Sequence, residues 1–124
     1  NLASCMIAVN RANQDNGCLQ VLKGSHKLGR IEHGMRGGQV GADLERTEAA
    51  EKTLELVYGE MEPGDALFFH CNTLHRSEAN KSEHPRWSLI CCYNALSNVP
   101  IIGKGHGPPS PIQLAPDDAI LQFA

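Results

Sequence analysis

Residues 61–94 read MEPGDALFFHCNTLHRSEANKSEHPRWSLICCYN, and this stretch decides the fold. It opens on Glu62-Pro63-Gly64-Asp65, a tight turn, since proline presets one turn dihedral and glycine tolerates the positive one. Residues 66–70, ALFFH, then read as a strand that sends Phe68 and Phe69 to opposite faces. Residues 72–85 are polar and irregular, and residues 87–94, WSLICCYN, form the clearest strand of the chain. If these two strands are antiparallel neighbours, the segment between them brings His75 and Arg86 to one end of a sheet. A neutral imidazole there binds a metal. An arginine beside it grips a carboxylate through two parallel hydrogen bonds, and the hydroxyl of Ser77 adds a third.

Working outward, residues 4–10 (SCMIAVN) read as a buried strand, and residues 13–17 end in Asn-Gly, a strong reversal signal. Residues 18–22 (CLQVL) are a second short apolar strand. From Gly24 a long loop is expected, crowded with Gly34, Gly37, Gly38 and Gly41. Residues 42–53 (ADLERTEAAEKT) are charged and rich in helix formers, which predicts a short surface helix. Leu54, Leu56 and Tyr58 alternate with other residues at period 2, the pattern of a strand. Short strands separated by turns, with little helix, predict an all-β sandwich or jelly roll. Residues 98–118 hold five of the seven prolines, so an extended, poorly packed tail is expected there.

Composition narrows the function. Hydrophobic residues make up 41% of the 124 and charged residues 20%, enough for a globular core. A net charge of -3 supplies no basic field for nucleic acid or an acidic membrane. No apolar run reaches the roughly 18 residues a spanning helix needs. Cys5, Cys18, Cys71, Cys91 and Cys92 are odd in number and form no CxxC pair, which disfavours a zinc ribbon. Buried free thiols in a reducing, cytoplasmic setting are expected.

The segments 15–29 (DNGCLQVLKGSHKLG) and 61–94 together resemble the phytanoyl-CoA dioxygenase family. In that family's pattern an iron-binding histidine is followed by a serine two residues on and an arginine eleven residues on. His75, Ser77 and Arg86 match it residue by residue. The resemblance implies a double-stranded β-helix (jelly roll, cupin-like), incomplete at its N-terminus and carrying the short surface helix. Residues 1–97 would be its C-terminal part and residues 98–124 a tail. It implies Fe(II) and 2-oxoglutarate as cofactors, ascorbate as reductant, and O2 and a small molecule as substrates. His75 would be the C-terminal ligand of a two-histidine, one-carboxylate triad. Arg86 and Ser77 would bind the distal carboxylate of 2-oxoglutarate. The reaction would be hydroxylation, on an acyl-CoA thioester or on a small polar solute such as a free amino acid. The absence of a basic cluster for a CoA diphosphate favours the second.

One part of the family pattern is missing. None of His26, His33, His70, His75, His84 and His106 begins an H-x-D or H-x-E motif. The other ligands are therefore expected upstream, and the chain by itself is expected not to turn over. Two alternatives stand beside this reading. One is a non-catalytic jelly-roll domain that lost the metal, and the other is a zinc or nickel cupin with clustered histidines. Individually, His26 suits a loop-ordering hydrogen bond as well as a substrate contact. Asp65 suits the turn, and Trp87 a packing anchor.

Overall fold

The computed structural model describes residues 2–36, 38–98 and 110–123. In chain order the elements are β1 (Leu2–Ala8), β2 (Leu19–Leu22), a 3-10 turn (Ser25–Leu28), β3 (His33–Arg36), β4 (Gln39–Ala42), α1 (Leu44–Glu51), β5 (Leu56–Gly59), β6 (Ala66–His70), β7 (His75–Ser77), β8 (Ser88–Asn94) and a terminal 3-10 turn (Ala119–Phe123). The chain forms two units, Leu2–Tyr93 and the residues from Asn94 onward. In the second, Asn94 and Asn98 clasp each other, Asn98 Nδ2 donating to Asn94 Oδ1 at 2.7 Å. Residues 110–116 there have no regular structure. Prolines account for that, because they cannot donate to a ladder.

The first unit holds two three-stranded sheets, in the orders β6-β1-β8 and β5-β2-β7. β1 pairs antiparallel with β6, Met6 opposite Leu67 and Ser4 opposite Phe69. β2 pairs antiparallel with β5 and with β7. Met6, Ala8, Cys18, Leu19, Ala12 and Met61 form the core, with Val21, Leu67 and Phe69 packed on it. These residues come from both sheets, so the sheets pack face to face. α1 begins at Asp43, whose carboxylate accepts from the Arg46 amide at 3.1 Å and caps the first turn. Among the described residues the sheets do not close into a barrel, and β5, β6, β7 and β8 are edge strands.

Several expectations need correction. β6 and β8 are not neighbours, because β1 lies between them. β1 takes the centre because it is apolar on both faces, with Cys5 and Met6 both buried. His75 is consequently in the other sheet. Residues 75–77, expected to be irregular, form β7, and the loop after Gly24 contains a 3-10 turn and the β3–β4 hairpin. His-Arg-Ser has no apolar alternation, and only its pairing with β2 makes it a strand. Of the five thiols, Cys5 and Cys18 are buried while Cys71 and Cys92 are exposed, and all are free. Trp87 is 70% exposed, so it is not the expected packing anchor among the described residues. Phe68 and Phe69 do face oppositely: Phe69 packs on the core and Phe68 is 71% exposed.

Candidate functional site

The register of β7 on β2 sets the site. Val21 lies opposite His75 and Leu19 opposite Ser77, whereas Gln20 lies opposite Arg76. Directly opposed residues share a face. His75 and Ser77 are therefore on the inner face with Val21 and Leu19, and Arg76 is on the outer face. The His75 ring confirms this, lying 5.2 Å from the core-packed Phe69 ring of the opposite sheet. Arg76 confirms it from the other side. Its Nε donates to buried Gln20 Oε1 at 3.0 Å and its Nη1 to Glu51 Oε1 of α1 at 2.8 Å.

His75 Nδ1 lies 2.8 Å from the Thr73 carbonyl oxygen. A carbonyl only accepts, so Nδ1 carries a proton, and in the neutral ring that leaves the lone pair on Nε2. No hydrogen bond among the described residues engages Nε2. This is the tautomer and the backing contact of a metal-ligating imidazole.

Arg86 is half-buried, and its Nε donates to the Asn16 carbonyl oxygen at 2.9 Å. Asn16 belongs to the Asn-Gly turn before β2. Gly17 in that turn takes φ 75° and lies against the Glu78 carbonyl, one residue past β7. Arg86 thus stands at the Ser77 end of β7, beyond Ser77 from His75. Two other contacts hold its segment. Asn10 Oδ1 accepts from the Trp87 amide at 3.2 Å, and Asn80 Nδ2 donates to the His84 carbonyl at 2.8 Å. Burial pushes the Cys18 thiol above its ordinary range, with Glu60 adding to the rise and the nearby Arg86 charge opposing it.

Beyond His75, the donor set for a metal is incomplete. Among the described residues no three His, Cys, Asp or Glu side chains cluster as a metal site. His26 and His70 have ring centroids 5.9 Å apart, but they are not joined by a third donor. Asp65 serves the turn as expected, its carboxylate accepting from the Glu62 amide at 2.8 Å. Sequence reasoning missed Asn16, Thr73 and Phe69 as supports of the site. The Asn-Gly pair marked the turn at Asn16 but not its long-range partner.

The phytanoyl-CoA dioxygenase (PhyH) family model matches residues 1–88. A methylphosphonate hydroxylase of Gimesia maris is 37% identical over 97 residues, 78% of this chain and 35% of that protein. A probable phytanoyl-CoA dioxygenase of Caenorhabditis elegans is 34% identical over 88 residues, 69% of this chain and 28% of that protein. The crystal structure of EctD from S. alaskensis with 2-oxoglutarate and 5-hydroxyectoine superposes with a TM-score of 0.64 at 25% identity, covering 78% of this chain and 32% of that one. The chain spans about a third of the length of the curated relatives it matches. The family match takes in His75, Ser77 and Arg86 and every strand up to the first residue of β8, and the all-β jelly-roll architecture expected from the sequence is the one observed. On these grounds the chain belongs to the phytanoyl-CoA dioxygenase family.

Proposed function

We propose that the whole protein containing this chain hydroxylates a small organic substrate with Fe(II) and 2-oxoglutarate. The observation that carries the reading is the arrangement along β7: a His75 imidazole with Nδ1 backed by a carbonyl, Ser77 on the same face, and Arg86 beyond it. His75 and Ser77 are two residues apart on a strand, about 6.6 Å. The ends of an extended five-carbon diacid are about 5 Å apart, from carbon–carbon bonds of about 1.5 Å. A 2-oxoglutarate with its oxo-acid end at the metal thus reaches the Ser77 and Arg86 region with its distal carboxylate. When bound, iron and 2-oxoglutarate supply O2 activation coupled to oxidative decarboxylation, giving succinate, CO2 and one oxygen atom for the substrate.

The residues of this chain do the holding. His75 donates one nitrogen to iron. Arg86 and Ser77 hold the distal carboxylate, and the Phe69 ring packs beside the exposed His75. The remaining two ligands of the family pattern, an H-x-D pair, would come from elsewhere in the whole protein. Ascorbate keeps the iron reduced. The substrate is small and polar rather than an acyl-CoA. Among the described residues Arg11, Lys23, Arg30 and Arg76 are each paired with a carboxylate, and a net charge of -3 supplies no basic field that would favour a CoA diphosphate. A cavity of about 450 Å³ bordered by Arg30, His33, Val40, Asn72 and His75 suits a small molecule.

The test measures succinate formed by the whole protein with Fe(II), ascorbate and 2-oxoglutarate. His75→Ala abolishes turnover, and Arg86→Ala raises the 2-oxoglutarate KM at least tenfold, the worth of a charge-assisted contact of about 1.5–3 kcal/mol. Turnover that survives His75→Ala refutes the assignment. A whole protein lacking an upstream H-x-D motif supports the non-catalytic jelly-roll reading instead.

A further inference from the structure

Arg86 is held by an amide network that none of the functional assignments above uses. Asn16 is 4% exposed, and its hydrogen bonds run in three directions. Its Oδ1 accepts from the Asn13 amide at 2.8 Å, its own amide donates to Asn13 Oδ1 at 3.0 Å, and its Nδ2 donates to the Arg11 carbonyl at 2.8 Å. The turn is therefore closed on itself by two reciprocal bonds and tied back to the chain before it. The Asn16 carbonyl left over accepts from Arg86 Nε at 2.9 Å. A guanidinium has five N–H donors in a plane, and fixing Nε fixes the direction of the four on Nη1 and Nη2.

We infer that Asn16 is the positioning residue for cosubstrate binding: it locks the turn whose carbonyl holds Arg86 Nε, so that Arg86 meets a distal carboxylate end-on, through Nη1 and Nη2. This rests on the assignment of Arg86 to the 2-oxoglutarate carboxylate. Nε is spent on the turn, so the side-on mode that pairs Nε with one Nη is closed. A guanidinium released from Asn16 still carries its charge but loses its orientation. What then falls is discrimination for a carboxylate at that distance, while binding at the metal end is kept.

The experiment uses the whole protein loaded with Ni(II), so that binding is read without turnover. Calorimetry measures 2-oxoglutarate and 2-oxovalerate, which differ in the distal carboxylate. Asn16→Ala lowers 2-oxoglutarate affinity about tenfold and leaves 2-oxovalerate within about twofold, the loss expected for one oriented hydrogen bond. Asn16→Asp keeps the acceptor for the Asn13 amide, loses the Nδ2 donor and sets a carboxylate oxygen against the Arg11 carbonyl, and its loss of discrimination is about threefold. Should Asn16→Ala fail to fold, Asn16→Asp carries the test alone. Arg86→Ala serves as the reference and collapses the discrimination entirely. If both Asn16 variants keep the wild-type ratio while Arg86→Ala destroys it, Asn16 does not position Arg86. If Arg86→Ala itself keeps the ratio, the carboxylate assignment is the part that fails.

Discussion

Gly17→Ala separates two costs at the turn that seats Arg86. Gly17 has φ 75°, and a Cβ there would lie 2.3 Å from the Glu78 carbonyl oxygen and 3.1 Å from that of Ala79. The left-handed backbone alone costs a non-glycine residue about 1–2 kcal/mol. The collision adds to this, because both partners are backbone and no rotamer relieves it. Moving from 2.3 Å to an ordinary 3.4 Å contact displaces the turn by about 1 Å. That displacement strains the Arg86–Asn16 bond at 2.9 Å and the Lys81–Asp15 backbone bond at 3.3 Å. At about 1 kcal/mol net for each, the sum is about 3–4 kcal/mol. Gly24 is the control, with φ 86° and nothing within 4 Å of its would-be Cβ, so Gly24→Ala bears only the backbone cost. Urea unfolding of the whole protein reads the difference as about 2 kcal/mol, or about 1 M in midpoint at an m-value of about 2 kcal/mol/M. Equal shifts for the two variants would refute the reasoning, because the turn would then not be clamped against the segment after β7.

Arg76→Ala strands the buried Gln20 Oε1 and destabilises by about 1–2 kcal/mol, whereas Glu51→Ala costs under about 1 kcal/mol, because that ion pair is exposed at 52% and 42%. Equal losses in thermal unfolding would contradict this. Ser77→Ala raises the 2-oxoglutarate KM about threefold to tenfold with kcat little changed, since a neutral hydroxyl contributes about one ordinary hydrogen bond. A thiol reagent labels Cys71 and Cys92 rapidly in the folded protein and spares Cys5 and Cys18, as mass spectrometry of the digested protein will show. The Cys18 proton is held more tightly folded than unfolded. Its contribution is therefore complete below the ordinary thiol range and is lost as pH rises through and above it. Cys18→Ala removes that part of the alkaline slope in unfolding free energy, and an unchanged slope would count against it.

Local signals accounted for β1, β2, α1, β5, β6 and β8, because each has its own period, cap or turn. They failed at β7. Three polar residues have no period, and their strand character comes from Val21, Gln20 and Leu19 across the ladder. The order β6-β1-β8 was hidden for a related reason: two good strands joined by a loop look like neighbours, and only the two-sided burial of β1 says otherwise. His75, Ser77 and Arg86 stood out through their resemblance to the family's spacing, which survives without knowledge of pairing. Their supports did not. Thr73 contributes a carbonyl, Asn16 a carbonyl and Phe69 a ring, and backbone groups carry no side-chain signature. The exposure of Trp87 at 70% and Phe68 at 71% was illegible because apolar residues do not declare which neighbour covers them.

β2 ties the two ends of the half-site together. Along it Val21 faces His75 and Leu19 faces Ser77, and the turn that leads into it holds Arg86 through Asn16. With the proposed roles, the separation between the iron-side nitrogen and the carboxylate anchor would be measured along one strand. Strand register is periodic in two, so a slip of a single residue would place Arg76 between the sheets and turn His75 and Ser77 outward. His-Arg-Ser offers little apolar preference against such a slip. What opposes it lies outside the site. Arg76 is fastened to Gln20 and to Glu51 of α1 on the outer face. Gly17 admits the Glu78 carbonyl at one end of β7, and the Leu22 amide donates to the Leu74 carbonyl at 3.0 Å at the other. The arginine of the His-Arg-Ser triplet, fastened on the outer face, therefore helps to select the face that its two neighbours present.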